Sequence, residues 1–522
     1  MPPTTTIEIQ NKIVSLLPFF SSPLSSLLSA TLMGKEEQKP HAIFVTYPLQ
    51  GHVIPSVNLA IKLASKGFTI TFINTDAIHH KTSKARLDSG GGGGSGGGHD
   101  DDIFAGARKA GLDIRYRTVT DGLPVEFDRS VNHDQFMASL LHVFSAHVEV
   151  LVRKIIKCEP PVTCLIADTF FVWPSMIAKK FGLLYVSFWT EPALIFTLYY
   201  HIHLLRANSH FACQDKREDT IDYIPGVSSI EPTDLTSYLQ DTDTTTVCHQ
   251  IIYKCFEDAR GADFVLCNTV QELEPNTISA LQVEMPFYAV GPIFPTKSLV
   301  ATSLWSESDC TQWLNTKPHG SVLYVSFGSY ANLSRHEIME IAKGLHLSKV
   351  NILWVVRPDI VVPEEGDPLP DGYREDMGER GLIVQWCRQL EVLKHPAVGG
   401  FLTHCGWNSI LETIWCGVPM LCYPLYTDQF TNRKLVAGDW MVGLDLCQSR
   451  NRVTKDEVAK KINLLMSGKD GEKCREEIKS VRKAFENATA ADGSSSRNLD
   501  QFIVDLRDRT AAAPHRSMEV RI

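Results

Sequence analysis

The sequence predicts an α/β protein of two doubly wound domains of similar size facing each other across a cleft. Three observations carry that expectation. Short runs rich in apolar and β-branched residues recur along the chain, as expected of strands buried on both faces of a parallel sheet. Each run is followed by a turn and a helical stretch, so the chain reads β-α-β from its first strand, with right-handed crossovers. The alternation fades between Lys297 and Glu307 and then restarts, dividing the 522 residues into two halves.

The first strand is His41 to Tyr47, broken by Pro48-Leu49-Gln50-Gly51-His52. Pro55 suits the opening of a helix that runs to Lys66, because its missing N–H costs nothing in a first turn. Gly67 ends that helix, and Thr69 to Asn74 is the next strand. An amphipathic helix is expected between Asn132 and Ile156. The strand Val162 to Ala167 then ends on Asp168, placing a carboxylate where α/β sheets hold their ligands. Phe170 to Pro174 leads into a helix ending at Phe181, the strand Leu184 to Ser187 and an aromatic run to Tyr200. So much aromatic surface near one sheet edge suits an apolar small-molecule pocket built from Phe170, Trp173, Trp189, Thr190 and Tyr199, with plain core packing as the competing use. Ala262 to Thr269 and Phe287 to Pro292 complete the first half.

The second half opens with the strand Ser321 to Ser326, the turn Phe327-Gly328-Ser329 and a helix started by the capping box Ser334-x-x-Glu337. Strands follow at Ile352 to Val356 and Leu382 to Gln385. A second capping box at Thr454-x-x-Glu457 precedes a charged helical pattern from Gly471 to Glu486. The expected organisation is an N-terminal extension over 1–40, a first domain over 41–295, a linker over 296–308, a second domain over 309–508 and a loose tail over 509–522.

Composition excludes several classes. A formal net charge of −9 with no basic stripe is wrong for nucleic acid. The 13 cysteines are scattered without a Cys-x-x-Cys pair, which points to a reducing compartment rather than a disulfide framework or a zinc site. The most apolar region, Leu183 to Leu205, is interrupted by Glu191-Pro192 and histidines, so no membrane span is expected. The extension lacks the basic start of a secretory signal and has no Arg. Its Ser-rich, acid-poor composition leaves plastid targeting open beside a disordered extension with a second start at Met33, and a cytoplasmic protein is the expectation. Gly90 to Gly98 contains a trivial G-x-G-x-x-G and reads as a flexible loop, and the following His99-Asp100-Asp101-Asp102 reads as solvated charge rather than a metal site. With no genuine glycine fingerprint after the first strand, a nicotinamide-dependent oxidoreductase is disfavoured.

The segment from Trp386 to Gln429 carries the chemistry. Gly400 to Thr403 reads as a buried strand and Ser409 to Trp415 as a helix with Asn408 at its cap. A strand feeding a helix N-terminus through small polar residues makes an anion site, since free N–H groups and the positive end of the dipole face the turn. The anion it suits is a phosphate or diphosphate.

This 44-residue segment resembles the signature box of plant family 1 UDP-sugar-dependent glycosyltransferases in length, opening Trp386, core His404-Cys405-Gly406-Trp407-Asn408-Ser409, Glu412 and closing Asp428-Gln429. The similarity extends to the first strand and turn, to Phe327-Gly328-Ser329 and to Asp168. It implies a GT-B fold, with two Rossmann-like domains, the donor held mainly by the second and the acceptor by the first. Trp386 would stack on uracil, Cys387 would reach it through its backbone, and Gln389 and Glu412 would bond ribose hydroxyls. Ser329, His404, Asn408 and Ser409 would surround the diphosphate, so no divalent ion and no cofactor is expected. Trp407, Asp428 and Gln429 would contact the sugar, and a final Gln goes with glucose, making UDP-glucose the expected co-substrate. His52 is the candidate general base, since an imidazole titrates near neutral pH, and Asp168 would hold its tautomer. The implied reaction is direct, inverting transfer to a small apolar hydroxylated acceptor by a monomer. The alternative is a UDP-sugar-binding protein with little transfer and a regulatory role. One departure stands out: the common Trp-Ala-Pro-Gln opening is here Trp386-Cys387-Arg388-Gln389, which removes a proline and adds a cation.

Overall fold

A computed structural model describes residues 39–88, 102–213, 217–293, 303, 305–361, 366–446 and 453–512. The expectations for the extension, the glycine tract, most of the linker and the end of the tail therefore concern residues outside the described ones. From Pro40 onward the chain is one unit by its contacts.

Strand β1 (His41–Val45) is buried along its whole length. Ala42 and Phe44 enter one apolar cluster while Ile43 and Val45 enter another, which is why the run reads as continuously apolar. It pairs in parallel with β2 (Thr69–Thr75) and, across a crossover, with β4 (Cys164–Asp168). With β3 (Ile114–Val119), β5 (Leu184–Trp189), β6 (Phe264–Cys267) and β7 (Phe287–Ala289), the order is β3-β2-β1-β4-β5-β6-β7. The second sheet holds β8 (Val322–Ser326), β9 (Asn351–Val355), β10 (Gly381–Val384), β11 (Val398–Thr403), β12 (Met420–Cys422) and β13 (Gly443–Asp445), ordered β10-β9-β8-β11-β12-β13. Strand β3 escaped the sequence reading because it is an edge strand of alternating pattern, Ile-Arg-Tyr-Arg-Thr-Val, whose Arg115 and Arg117 pair with Glu159.

Several helices differ from expectation. Helix α1 (Gln50–Ser65) starts before Pro55, so His52 sits in its first turn rather than on a preceding loop. The single helix expected from Asn132 to Ile156 is two, α2 (His133–His142) and α3 (Phe144–Cys158), bent by 46°. Together they are long and apolar enough to form a bent membrane span. Phe136, Phe144, Val148 and Val152, however, are buried in the cluster beneath β1 and β4, and no single described helix is long and apolar enough to cross a membrane. Helix α4 (Ala193–Tyr200) is buried at every position. Helix α5 (Trp407–Cys416) begins two residues earlier than expected, with Gly406 at its N-cap in place of Asn408.

The last helix, α6 (Ser494–Ala512), belongs by chain order to the second half but packs on the first sheet. Leu499, Phe502 and Leu506 join the cluster of Phe44 and Phe264, the Phe264 and Phe502 rings lie 5.6 Å apart, and Asn498 donates to the carbonyl of Ala289. It continues through Arg509 to Ala512, where a loose tail was expected. Asp102, expected to be solvated, is buried, accepting from Arg108 at 3.0 Å and from the N–H of Phe104.

Candidate active site

Each sheet reverses its chain order once, between β1 and β4 and between β8 and β11. Ligands of open α/β sheets bind outside the carboxyl ends of the strands at such points. A cavity of about 1010 Å³ lies there, lined by residues that follow both sheets.

On the first side, α1 starts just after β1 and its opening turn carries His52. The Nδ1 of His52 lies 2.8 Å from Oδ2 of Asp168, at the end of the neighbouring β4, and 3.1 Å from the hydroxyl of Thr190 after β5. Asp168 is 1% exposed and its other oxygen accepts from the N–H of Phe170, so the carboxylate is held on both sides. The imidazole is 13% exposed and lines the cavity, with Tyr47 and the edge of Phe170 each 5.3 Å away. A donor Nδ1–H facing the carboxylate leaves Nε2 as the basic nitrogen.

On the second side, α5 presents its first turn to the cavity from the end of β11, with Gly406 bringing no side chain between its N–H groups and the space in front. His404 lies beneath, against Gly328 and Gly406: a Cβ on either glycine would fall 2.5 Å from its Nε2, and Gly328 also has φ +73°. Burial first, and the Arg357 charge second, push the His404 imidazole down to about 4, so it is neutral near pH 7. Arg357 is itself 1% exposed. It donates to the carbonyls of Gly328 and Ala331, bracing the turn that carries Ser329, and no sequence motif announces it.

Gln389 donates to Glu412 at 2.8 Å and to Ser409 at 3.1 Å, while its carbonyl accepts from Tyr324. Burial raises the Glu412 carboxyl to about 7. Trp386 faces the cavity with Trp305 6.3 Å away, and Cys387 tucks its sulfur under Tyr324. Arg388 is 64% exposed at the rim and paired with Glu307 and Glu391, so the added cation is largely spent on neighbouring carboxylates. Asp428 accepts from Thr427 and Asn432, Gln429 accepts from the N–H of Leu425, and Trp407 donates across the cleft to the carbonyl of Asn268.

The expected aromatic pocket is brought together only in part. Phe170, Thr190 and Tyr199 line the cavity. Trp173 and Trp189 do not: Trp173 packs on Phe171 and Phe144, and Trp189 is fully buried between Phe170, Phe196 and Phe256 with its N–H on the carbonyl of Pro192. The lining includes residues that sequence reasoning missed, among them His133 of α2, Glu191, Tyr238, Cys248, Tyr330 and Tyr426. His133 bonds the hydroxyl of Tyr330 across the cleft and lies 3.3 Å from the Cys248 sulfur.

Comparison with known proteins agrees with this geometry. The family described as "UDP-glucoronosyl and UDP-glucosyl transferase" matches residues 296–473. UDP-glycosyltransferase 86A1 of Arabidopsis thaliana is 56% identical over 480 residues, covering 91% of this chain and 96% of the relative. UDP-glycosyltransferase 86A2 of the same plant is 58% identical, with 89% and 94% covered. The structure of Phytolacca americana UGT2 complexed with UDP-2fluoro-glucose and pterostilbene superposes with a TM-score of 0.73 at 28% identity, covering 90% of this chain and 99% of that one. Two parallel Rossmann-like sheets meeting at their switch points, and this degree of identity across nearly the whole length, show that the chain belongs to the plant UDP-glycosyltransferases and is a GT-B glycosyltransferase.

Proposed function

We propose that this enzyme moves glucose from UDP-glucose to a hydroxyl of a small apolar acceptor, of phenolic, terpenoid or hormone-like type, with inversion at the anomeric carbon. The observation that carries the reading is the 2.8 Å contact between His52 and Asp168, at the end of one sheet's switch point and facing the same cavity as α5. The His52 Nε2 takes the acceptor's hydroxyl proton as that oxygen bonds to the anomeric carbon. The carbon–oxygen bond to UDP breaks in the same step, and its electron pair passes to the diphosphate. Asp168 stabilises the imidazolium that forms.

The leaving charge falls in front of the first turn of α5, beside Ser329, Asn408, Ser409 and the neutral His404, with Arg357 behind the turn. That positive field supports transfer without a divalent ion. Trp386, Cys387, Gln389 and Glu412 take the uridine, and Trp407, Asp428 and Gln429 take the sugar. Glucose is supported by the closing Asp428-Gln429 and by the glucose analogue held in the Phytolacca structure. Phe170, Thr190 and Tyr199 form the acceptor wall. Both halves of the site come from one chain, which supports a monomer, and the twelve described free thiols fit a cytosolic enzyme.

Purified protein with UDP-glucose and a panel of hydroxylated apolar acceptors should yield a hexose adduct by mass spectrometry, with a β-linkage by NMR from the α-linked donor. Full activity of His52→Ala on every acceptor would overturn the base assignment. UDP binding by calorimetry without transfer to any acceptor would establish a binding protein instead.

A further inference from the structure

Glu191 follows Thr190 at the exit of β5 and lines the cavity on the acceptor side. Its Oε2 is buried and has no hydrogen-bond partner among the described residues, in a chain whose other site carboxyls are satisfied: Asp168 by His52 and Phe170, Asp428 by Thr427 and Asn432, Glu412 by Gln389. A buried polar atom left without a partner is unfavourable, and no described bond holds the carboxyl in place, so turning it toward the cavity that its side chain lines lets it pair with a ligand group and relieves that cost. The mechanism above uses His52 and Asp168 and leaves Glu191 without a role.

The charge around it narrows the ligand. Among the described residues lining the cavity from the first half, the acids are Glu191 and Asp241, and there is no Lys or Arg; the cavity's cations, Arg388 and Lys394, sit with Trp386 and Glu412 at the other end. Burial, with Asp428 and Asp168 adding to it, holds the Glu191 carboxyl well above the usual carboxylate range. A neutral carboxylic acid both donates and accepts, which suits a hydroxyl. An anionic acceptor would instead bring another negative charge into a cavity that Asp241 and Asp428 line, with Asp168 close behind its wall.

We propose that Glu191 is a specificity-determining residue that bonds a second hydroxyl of the acceptor, one that does not receive the sugar, so that the enzyme selects neutral acceptors with at least two hydroxyls and discriminates against carboxylates. This deepens the acceptor reading above and rests on it. A site built to bond a hydroxyl rejects the analogue lacking it far more strongly than an apolar pocket rejects an extra methylene.

The test compares kcat/KM for 1,6-dihydroxynaphthalene, 1-naphthol and 5-hydroxy-1-naphthoic acid in the full chain and in Glu191→Leu and Glu191→Gln. In the unmodified protein the diol is favoured over the monohydroxy congener by roughly 10- to 100-fold. Glu191→Leu brings that ratio to within about threefold of unity, whereas Glu191→Gln, which keeps a donor and an acceptor, retains most of it. Unchanged UDP affinity by calorimetry certifies that each variant is folded. A diol preference surviving in Glu191→Leu, or carboxylate turnover by the unmodified protein equal to that of the diol, overturns the inference while leaving the transfer reading intact. Absence of transfer to any hydroxylated acceptor, across these and a wider panel, overturns the acceptor reading itself and this inference with it.

Discussion

The side-chain amide of Asn408 donates to the backbone carbonyl of Gly51 at 2.7 Å, joining the first turn of α5 to the first turn of α1 across the cleft. Pro55 makes the acceptor available: four residues after Gly51, it has no N–H to give to that carbonyl. The bond ties the turn proposed to hold the diphosphate to the turn that carries His52. Removing it in Asn408→Ala is expected to lower kcat/KM by about tenfold, through misplacement of the two halves. Pro55→Ala restores a competing donor. A double-mutant cycle on kcat/KM should show a coupling of roughly 0.5–1.5 kcal/mol, and strict additivity would mean that the proline and the amide act separately.

His52→Ala should reduce kcat by roughly 10²–10⁴-fold with little change in UDP affinity, the range for loss of a positioned base. Asp168→Asn should lose much of the same rate, because the amide offers an N–H where the imidazole needs an acceptor. Pre-steady-state turnover with a phenolic acceptor reads this directly, and a full-rate Asp168→Asn would remove the carboxylate from the mechanism.

Glu412, raised by burial to about 7, predicts a pH-dependent nucleoside site. Ribose hydroxyls donating to the carboxylate favour its ionised form, so binding lowers the Glu412 pKa and releases a proton. Uridine, which lacks the phosphate's own titration, should bind more tightly at pH 8 than at pH 6. His404 is already neutral over that interval, and burial pushes the nearby Cys416 thiol up to about 12, so neither contributes. In the free protein the sign is opposite: the ionised carboxyl is the poorly solvated form, and its contribution to stability falls as pH rises from the ordinary carboxylate range through about 7. Calorimetry in buffers of different ionisation enthalpy should show the proton release, and Glu412→Gln should abolish it.

Gly328→Ala and Gly406→Ala each place a methyl group 2.5 Å from the His404 ring nitrogen, and at Gly328 the positive φ adds backbone strain. Both should weaken UDP binding by tenfold or more, with the larger effect at Gly328. An unchanged UDP dissociation constant would show that the ring moves aside freely.

Trp189→Ala is expected to destabilise the fold by roughly 3–5 kcal/mol, because the ring fills the core between Phe170, Phe196 and Phe256. Phe170→Ala, at the cavity wall, should show itself first in acceptor KM. Thermal and urea midpoints beside kinetics separate the two. A Trp189→Ala protein of normal stability and altered acceptor range would return that tryptophan to the pocket.

The sequence by itself determined the architecture and named the residues proposed for the donor, which the structure gathers along one cavity. Continuous apolar runs bounded by turns are the mark of strands buried on both faces of a parallel sheet, and most of the residues proposed for the donor lie within the 44-residue stretch from Trp386 to Gln429, where spacing along the chain limits spacing in space. The positions of His52 and Asp168 were legible for a related reason, since Asp168 ends β4 and His52 follows β1, the two strands that flank a switch point. Tertiary structure alone decided the rest. Trp173 and Trp189 became core while Phe170 and Tyr199 became wall, because neighbouring aromatic positions go to opposite sides of a packed layer and only the layer's partners say which side is filled. The reach of Asn408 to Gly51, the support from Arg357 and the return of α6 to the first sheet each depend on a partner between 26 and 357 residues away in sequence. Glu191 is the clearest case: a glutamate in an aromatic run carries no signal until folding buries its oxygen beside a cavity and leaves it without a partner.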